Sequence, residues 1–282
     1  MRQILPPEEK PKKSLRFLYY NPFGGLVLKL LTRRWISKLA GKYLDSRLSK
    51  GMIKKYIRNN GIDMDLYEKE EYSCFNAFFT RRIKPELRPF DPDPSAFCSP
   101  CDGKLTLFQI DEESRFEVKG FTYTTETLLQ NKELAEKYKG GYCFIFRLCV
   151  DDYHRYAYLD DCEKGENVFI KGKLHTVQPT ALERRRVFTE NCREYTVLKT
   201  ANFGEVTQVE VGAMMVGRIV NNHGAGGFKR GEEKGRFEFG GSTIVVLVEK
   251  GKVVPDEELL KNTDDGNETI VKCGERLGVK RV

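Results

Sequence analysis

FGGSTIVVLVE, residues 239–249, is the stretch on which the fold turns. Phe239, Gly240, Gly241 and Ser242 punctuate the chain, and residues 243–249 then form a short β-branched and aliphatic run, the signature of a strand. Similar runs lie at 142–150, 167–177 and 206–220, set off by Gly and Asn, and all follow a change of texture after Pro85. They do not alternate with helical segments at regular intervals, and the chain has no internal repeat, which argues against a doubly wound parallel sheet. Residues 262–268, NTDDGNE, read as a polar loop before a short final strand.

Upstream the period changes. Leu48, Met52, Ile53, Tyr56 and Ile57 recur at helical spacing, with Asp45 or Ser46 as N-cap and Gly61 as a stop. A second, aromatic helix is expected around Phe75, Phe78 and Phe79 with Ser73 as its cap. Residues 1–25 hold Pro6, Pro7, Pro11 and Pro22 and read as an irregular arm. The expected class is α+β: N-terminal helices on a mainly antiparallel β-rich body, divided into a basic, amphipathic region over 1–70 and a body over 71–282.

The chain has 282 residues, 40% of them hydrophobic, enough for a real core and against disorder. Its net charge of +7 is unevenly placed: residues 1–60 carry 15 Lys and Arg against Glu8, Glu9 and Asp45, a local +12 that leaves −5 for the rest. A basic end calls for an anionic partner. Phe17, Tyr20, Phe23, Leu26, Leu30 and Trp35 are interleaved with these charges, which favours a membrane surface over nucleic acid, the plain alternative being a solvated basic face on packed helices. Lys29, Arg33 and Arg34 break the apolar run before the ~20 residues a spanning helix needs. MRQILPPEEK lacks the apolar core of a signal peptide, so a cytoplasmic chain with eight reduced cysteines is expected.

Cys98 and Cys101 have CxxC spacing, but no second pair supplies a zinc site, and buried thiols are the better reading. Residues 224–241 are glycine-rich without a P-loop ending, and Arg184, Arg185 and Arg186 read as a solvated run. Three other segments carry chemistry. In Gly240-Gly241-Ser242 the glycines permit strained geometry and leave the Gly241 carbonyl open to the next hydroxyl, as an N-to-O acyl shift needs. Asp102 sits in a tight turn, and His154, one of three histidines, follows an apolar strand. Each alone is also what a turn, a cap or a structural histidine looks like.

In this order the segments resemble the phosphatidylserine decarboxylase family. Its Gly-Ser-Thr cleavage site is similar to Gly241-Ser242-Thr243, its Asp-Gly turn to Asp102-Gly103, and its Asp-Tyr-His-Arg segment to Asp152-Tyr153-His154-Arg155. Further likeness lies in FNAFFTRR at 75–82, in Lys84-Pro85 and Arg88-Pro89, and in VGAMMVG at 211–217. The resemblance implies a zymogen in which Ser242, activated by a histidine that Asp102 orients, attacks the Gly241 carbonyl to form an ester. β-Elimination then parts fragment 1–241 from fragment 242–282, and the new terminus loses ammonia to become a pyruvoyl group. The resemblance further implies a carboxy-lyase that converts phosphatidylserine to phosphatidylethanolamine through a Schiff base with this covalent cofactor, without a metal. The implied partners are phosphatidylserine, an anionic membrane surface on the cytoplasmic side of the cell membrane, and the chain's own fragments. Nucleic acid is not among them, and a homodimer is left open.

One position departs. Much of the family continues as Asp-Tyr-His-Arg-x-His, with the second His partnering the Asp in self-cleavage, whereas here that position is Ala157. His175 is the expected replacement as base, with His154 acting in decarboxylation. The alternatives are that His154 serves both stages, that His223, less well placed in its glycine-rich segment, is the replacement, or that processing is lost. Two other classes compete. Asp102, His154 and Ser242 could form a hydrolase triad on an intact chain, though the Gly-x-Ser-x-Gly elbow is missing, or the basic end could serve a non-catalytic lipid-binding module.

Overall fold

A computed structural model describes residues 2–7, 13–214, 218–238, 240 and 242–281. Its frame is a ten-stranded sheet in which every ladder is antiparallel. At its centre the strand Ser242–Val248 lies between Tyr142–Leu148 and Gly204–Val211. After Ser242 and Thr243 the strand is apolar because both faces are covered, and every residue of it is buried. Ile244, Val246 and Val248 face a layer with Phe144, Phe146, Tyr156 and Phe237. Val245 and Leu247 face the other layer, with Tyr19, Leu28 and Val209. Since side chains alternate along a strand, Ser242 points with Ile244 toward the first layer. The class is α+β as expected, with helices at the N-terminus.

The arm expected over 1–25 is instead helical in its second half: α1 spans Lys13–Tyr20 and α2 Pro22–Leu31. Pro22 stands in the first turn of α2, where a missing N–H costs nothing, and the Asn21 side chain caps the helix by accepting from Phe23 N at 2.9 Å. The two helices meet closely: a Cβ on Gly24 would lie 2.0 Å from the Phe17 carbonyl oxygen. Ile4–Leu5 pairs with Glu268–Val271.

Asp45 does not open a helix but ends α3 (Arg34–Leu44), and the Leu48–Ile57 pattern divides between a 3-10 turn, Arg47–Gly51, and α4 (Met52–Asn60). Gly61 stops α4 as expected, at φ 60°. The aromatic helix α5 is short, Phe75–Phe79, and its cap is the Cys74 sulfur rather than Ser73. Leu44 and Ile53 pack on Phe75, Phe78 and Phe79, so the N-terminal segment is seated on the body.

Two expected strands are shorter. Of 167–177 only Val168–Ile170 joins the sheet, because the Asn191 side chain takes both backbone groups of His175, at 2.8 Å each, in place of a ladder. The run 206–220 is two strands in different sheets, Gly204–Val211 and Arg218–Asn221, and residues 215–217 lie outside the described residues. Asn262 belongs to the helix Glu257–Asp264 rather than to a polar loop, its amide bonding Thr269 Oγ1 at 3.0 Å.

Candidate active site

Ser242 opens the central strand opposite Leu148, the last residue of its neighbour. It is fully buried, and its Oγ has no hydrogen-bond partner among the described residues. A buried hydroxyl left unpaired costs about 1–3 kcal/mol, which packing alone does not explain. Gly240, two residues before it, has φ 118°, a region only glycine enters without strain. Gly241 lies outside the described residues.

From Leu148 the chain turns back over the strand end and delivers His154. Asp152 pins this turn: its Oδ2 accepts from Lys104 Nζ at 2.6 Å and from Cys149 N at 2.7 Å, and its backbone oxygen accepts from His154 Nδ1 at 2.8 Å. Because a carbonyl only accepts, the proton of the neutral ring is on Nδ1 and the lone pair on Nε2. Nε2 has no partner among the described residues. The ring is buried against Phe79, centroids 4.1 Å apart, and burial pushes its pKa down to about 3, Arg81 adding to the effect while the Asp152 and Gly240 backbones oppose it. The imidazole is thus neutral at pH 7 and lies against the segment leading to Ser242. Lys104 stays charged: burial works against it, but Asp152 outweighs that.

Asp102 is engaged elsewhere. Its carboxylate accepts from Arg88 Nε at 2.7 Å and Nη2 at 2.6 Å, and from Cys273 N at 2.9 Å, with Lys272 Nζ at 3.4 Å. Neither His154 nor His175 hydrogen-bonds to it. Ala157 N donates to Pro100 O at 2.8 Å, which puts position 157 beside the Asp102 turn. A cavity of about 210 Å³, lined by Arg88, Tyr153, Ala157 and Cys273 among others, fills the space there.

His175 lies in the other layer of the molecule. Its Nδ1 is 3.3 Å from Tyr19 Oη and its Nε2 3.5 Å from Glu190 Oε2, and burial lowers its pKa to about 4 against the pull of Glu190. The structure therefore groups Ser242 with His154 and places His175 across the sheet. His223 stacks on Phe228 and Tyr158, away from both. Cys98 and Cys101 are buried free thiols. Cys149, Asp151 and Asp152 bring ligand-type atoms within 4.8 Å of one another, but Lys104 already occupies Asp152. Sequence reading did not single out Lys104 or Arg88, although Arg88 stands in the Arg88-Pro89 pair and Lys104 directly follows Asp102-Gly103. Neither carried a local signal, because Lys104 lies 48 residues from Asp152 and Arg88 lies 14 from Asp102.

Ser242 Oγ and His154 Nε2 are thus both buried and, among the described residues, without a hydrogen-bond partner, a pairing of residue types suited to nucleophilic chemistry. A model of the phosphatidylserine decarboxylase family matches residues 75–279. Phosphatidylserine decarboxylase proenzyme 2 of Clostridium acetobutylicum is 43% identical over 279 residues, covering 99% of this chain and 96% of its own. The phosphatidylserine decarboxylase proenzymes of Ruminiclostridium cellulolyticum and Fusobacterium nucleatum are 42% and 41% identical, each over 94% of this chain and 91% and 90% of theirs. The chain belongs to the phosphatidylserine decarboxylase family and is, with it, a decarboxylase whose relatives are named as proenzymes.

Proposed function

We propose that the chain decarboxylates phosphatidylserine to phosphatidylethanolamine after cutting itself between Gly241 and Ser242. The carrying observation is the fully buried Ser242 Oγ, which has no partner among the described residues, on the side of the sheet where His154 presents a neutral Nε2 that likewise has none among them. Those groups fit the making of a pyruvoyl group from Ser242. His154 Nε2 takes the hydroxyl proton, and Oγ attacks the Gly241 carbonyl, exchanging the 241–242 amide for an ester. Loss of the Ser242 α-proton expels the Gly241 carboxylate, and water replaces the enamine nitrogen, which leaves as ammonia. The geometry supports His154 rather than His175 as the base, and Asp102, held by Arg88, as a fixed anchor of the neighbouring turn.

The pyruvoyl group would supply a ketone that takes the headgroup amine and an electron sink for the departing carboxylate. The protein's part is to hold it. Fragment 242–282 contributes Ser242–Val248, laddered on both sides, and Glu268–Val271, between Ile4–Leu5 and Gly103–Gln109. Separating the fragments would strip the sheet of its centre, so they stay together after the cut.

The same reading brings the enzyme to its lipid as a peripheral protein on the cytoplasmic side of the cell membrane. No helix among the described residues is long and apolar enough to cross a membrane. On α2 and α3, Phe23, Leu26 and Trp35 are 76%, 64% and 53% exposed, amid a segment of net charge +12. Mass spectrometry of the purified chain tests the central claim. A 41-residue fragment with a ketone at position 242, absent from Ser242→Ala, is expected. An uncut chain, or a free serine amine at 242, would refute it.

A further inference from the structure

A cavity of about 830 Å³ opens between α2, α3 and the 172–175 loop, across the sheet from the Ser242 side chain. Lys29, Arg33, Arg34, Lys38, Lys173 and Arg185 line it, and no acid does. Among the described residues only Lys173 of these six has an acidic partner, Glu190 at 3.8 Å, while Arg34 rests over the Phe169 ring. Six cations in one concavity repel one another and concentrate positive potential, an arrangement that an anion stabilises. α3 adds its N-terminus, with Arg33 as an N-cap whose side chain makes no capping bond.

The floor carries an independent sign of a ligand. His175 lines the cavity with a side chain only 4% exposed, and its Nε2 has no hydrogen-bond partner among the described residues. Tyr19 Oη accepts the Thr176 N–H at 3.3 Å, so its own proton is free for His175 Nδ1, which leaves Nε2 as the donor. Glu190 Oε2, 3.5 Å from Nε2, is the one acid close to this floor. Leu28 and Trp35 make the wall apolar, and the outer faces of the same helices expose Leu26, Leu30 and Leu39. A headgroup entering here keeps its acyl chains beside those residues.

We infer that this cavity seats the phosphodiester of an anionic membrane phospholipid, at a site separate from the reacting serine. The inference rests on the membrane-docking reading above. It commits to a lipid rather than free phosphate, because the cations are set among apolar residues that a bilayer covers.

Vesicle sedimentation of the full-length chain, with phosphatidylglycerol in phosphatidylcholine against phosphatidylcholine alone, tests it. Arg33→Gln with Lys38→Gln removes two exposed cavity cations. Lys50→Gln with Lys54→Gln removes two exposed cations of the same basic segment that do not line the cavity. Gly25→Leu keeps the charge and narrows the cavity, since a Cβ at Gly25 meets nothing within 4 Å. The expected result is that the Arg33/Lys38 pair and Gly25→Leu both lose preference for phosphatidylglycerol by about tenfold or more, while the Lys50/Lys54 pair loses distinctly less. Full preference in Gly25→Leu, or equal loss in the two double variants, would mean diffuse attraction and overturn the cavity while leaving membrane docking intact. If the unaltered chain shows no preference for phosphatidylglycerol, docking itself fails, and the cavity with it.

Discussion

If His154 is the base for self-cleavage, the rate of that step should be flat in pH where a histidine ordinarily titrates. An imidazole at its usual ~6.5 is about 90% protonated at pH 5.5, and a reaction that needs its lone pair slows about tenfold between pH 7.5 and 5.5. Burial holds His154 at about 3, so it remains neutral over that whole interval. Its weakness as a base is tolerable in a reaction that each molecule performs once. The assay is cell-free synthesis, arrest, a shift in pH, and the appearance of the 41-residue fragment with time, with circular dichroism to confirm that the chain stays folded. A tenfold fall with a midpoint at ~6.5 would overturn the assignment of His154 as base, as would normal processing in His154→Ala. The same shift carries a stability consequence of defined sign. The folded value lies below the unfolded one, so the unfolded chain binds more protons between them, and stability present above ~6.5 is lost as pH falls toward about 3. By pH 5 the loss from His154 is about 2 kcal/mol, and His175, lowered to about 4, acts in the same direction. Urea unfolding of uncut Ser242→Ala at the two pH values measures the sum.

Lys104→Met removes the cation that holds Asp152, and with it the anchoring of His154. Processing should slow by about tenfold or more, the scale of a lost charge-assisted bond of ~1.5–3 kcal/mol, and Lys104→Arg should recover it in fragment-release kinetics. Lys234 and Glu210 form an ion pair with both side chains 0% exposed, at 2.7 Å. Lys234→Met should cost about 3–5 kcal/mol in urea unfolding by stranding a buried carboxylate, and adding Glu210→Leu should return much of it. Leu26→Ser with Leu30→Ser should weaken sedimentation with anionic vesicles at high salt, where charge is screened and the exposed apolar groups carry the binding.

The sequence made the central strand legible because its apolar run has one physical reading, a strand covered on both faces, and Ser242–Val248 is that. The N-terminus was misread for an equally physical reason. Proline is a breaker by composition, but Pro22 stands after an asparagine that can cap, where it starts a helix, and only the pairing of the two residues reveals this. His175 sat in a run of strand-forming residues, yet Asn191, sixteen positions away, supplies the hydrogen bonds a neighbouring strand would have made. Such partnerships are long-range, and local pattern carries no trace of them.

The candidate site divides along the same line. Ser242, Asp102 and His154 could be named because their segments, each ordinary alone, stand in the order of the family they resemble. What each is paired with could not. Asp102 was expected to orient a histidine, and the departure at Ala157 was visible, but not its consequence: with no imidazole at 157, the carboxylate is fully engaged by Arg88, Lys272 and the Cys273 N–H. An acid held by Arg88 and the Cys273 N–H is committed to those partners, and neither His154 nor His175 hydrogen-bonds to it. The work of fixing a tautomer therefore passes from that carboxylate to a backbone carbonyl, that of Asp152, whose own side chain is held by Lys104. A carbonyl cannot accept a proton, so it determines which nitrogen carries the hydrogen without stabilising the imidazolium as a carboxylate would. If His154 is the base, as proposed, it is weaker and neutral over a wider range of pH than an imidazole paired with a carboxylate would be.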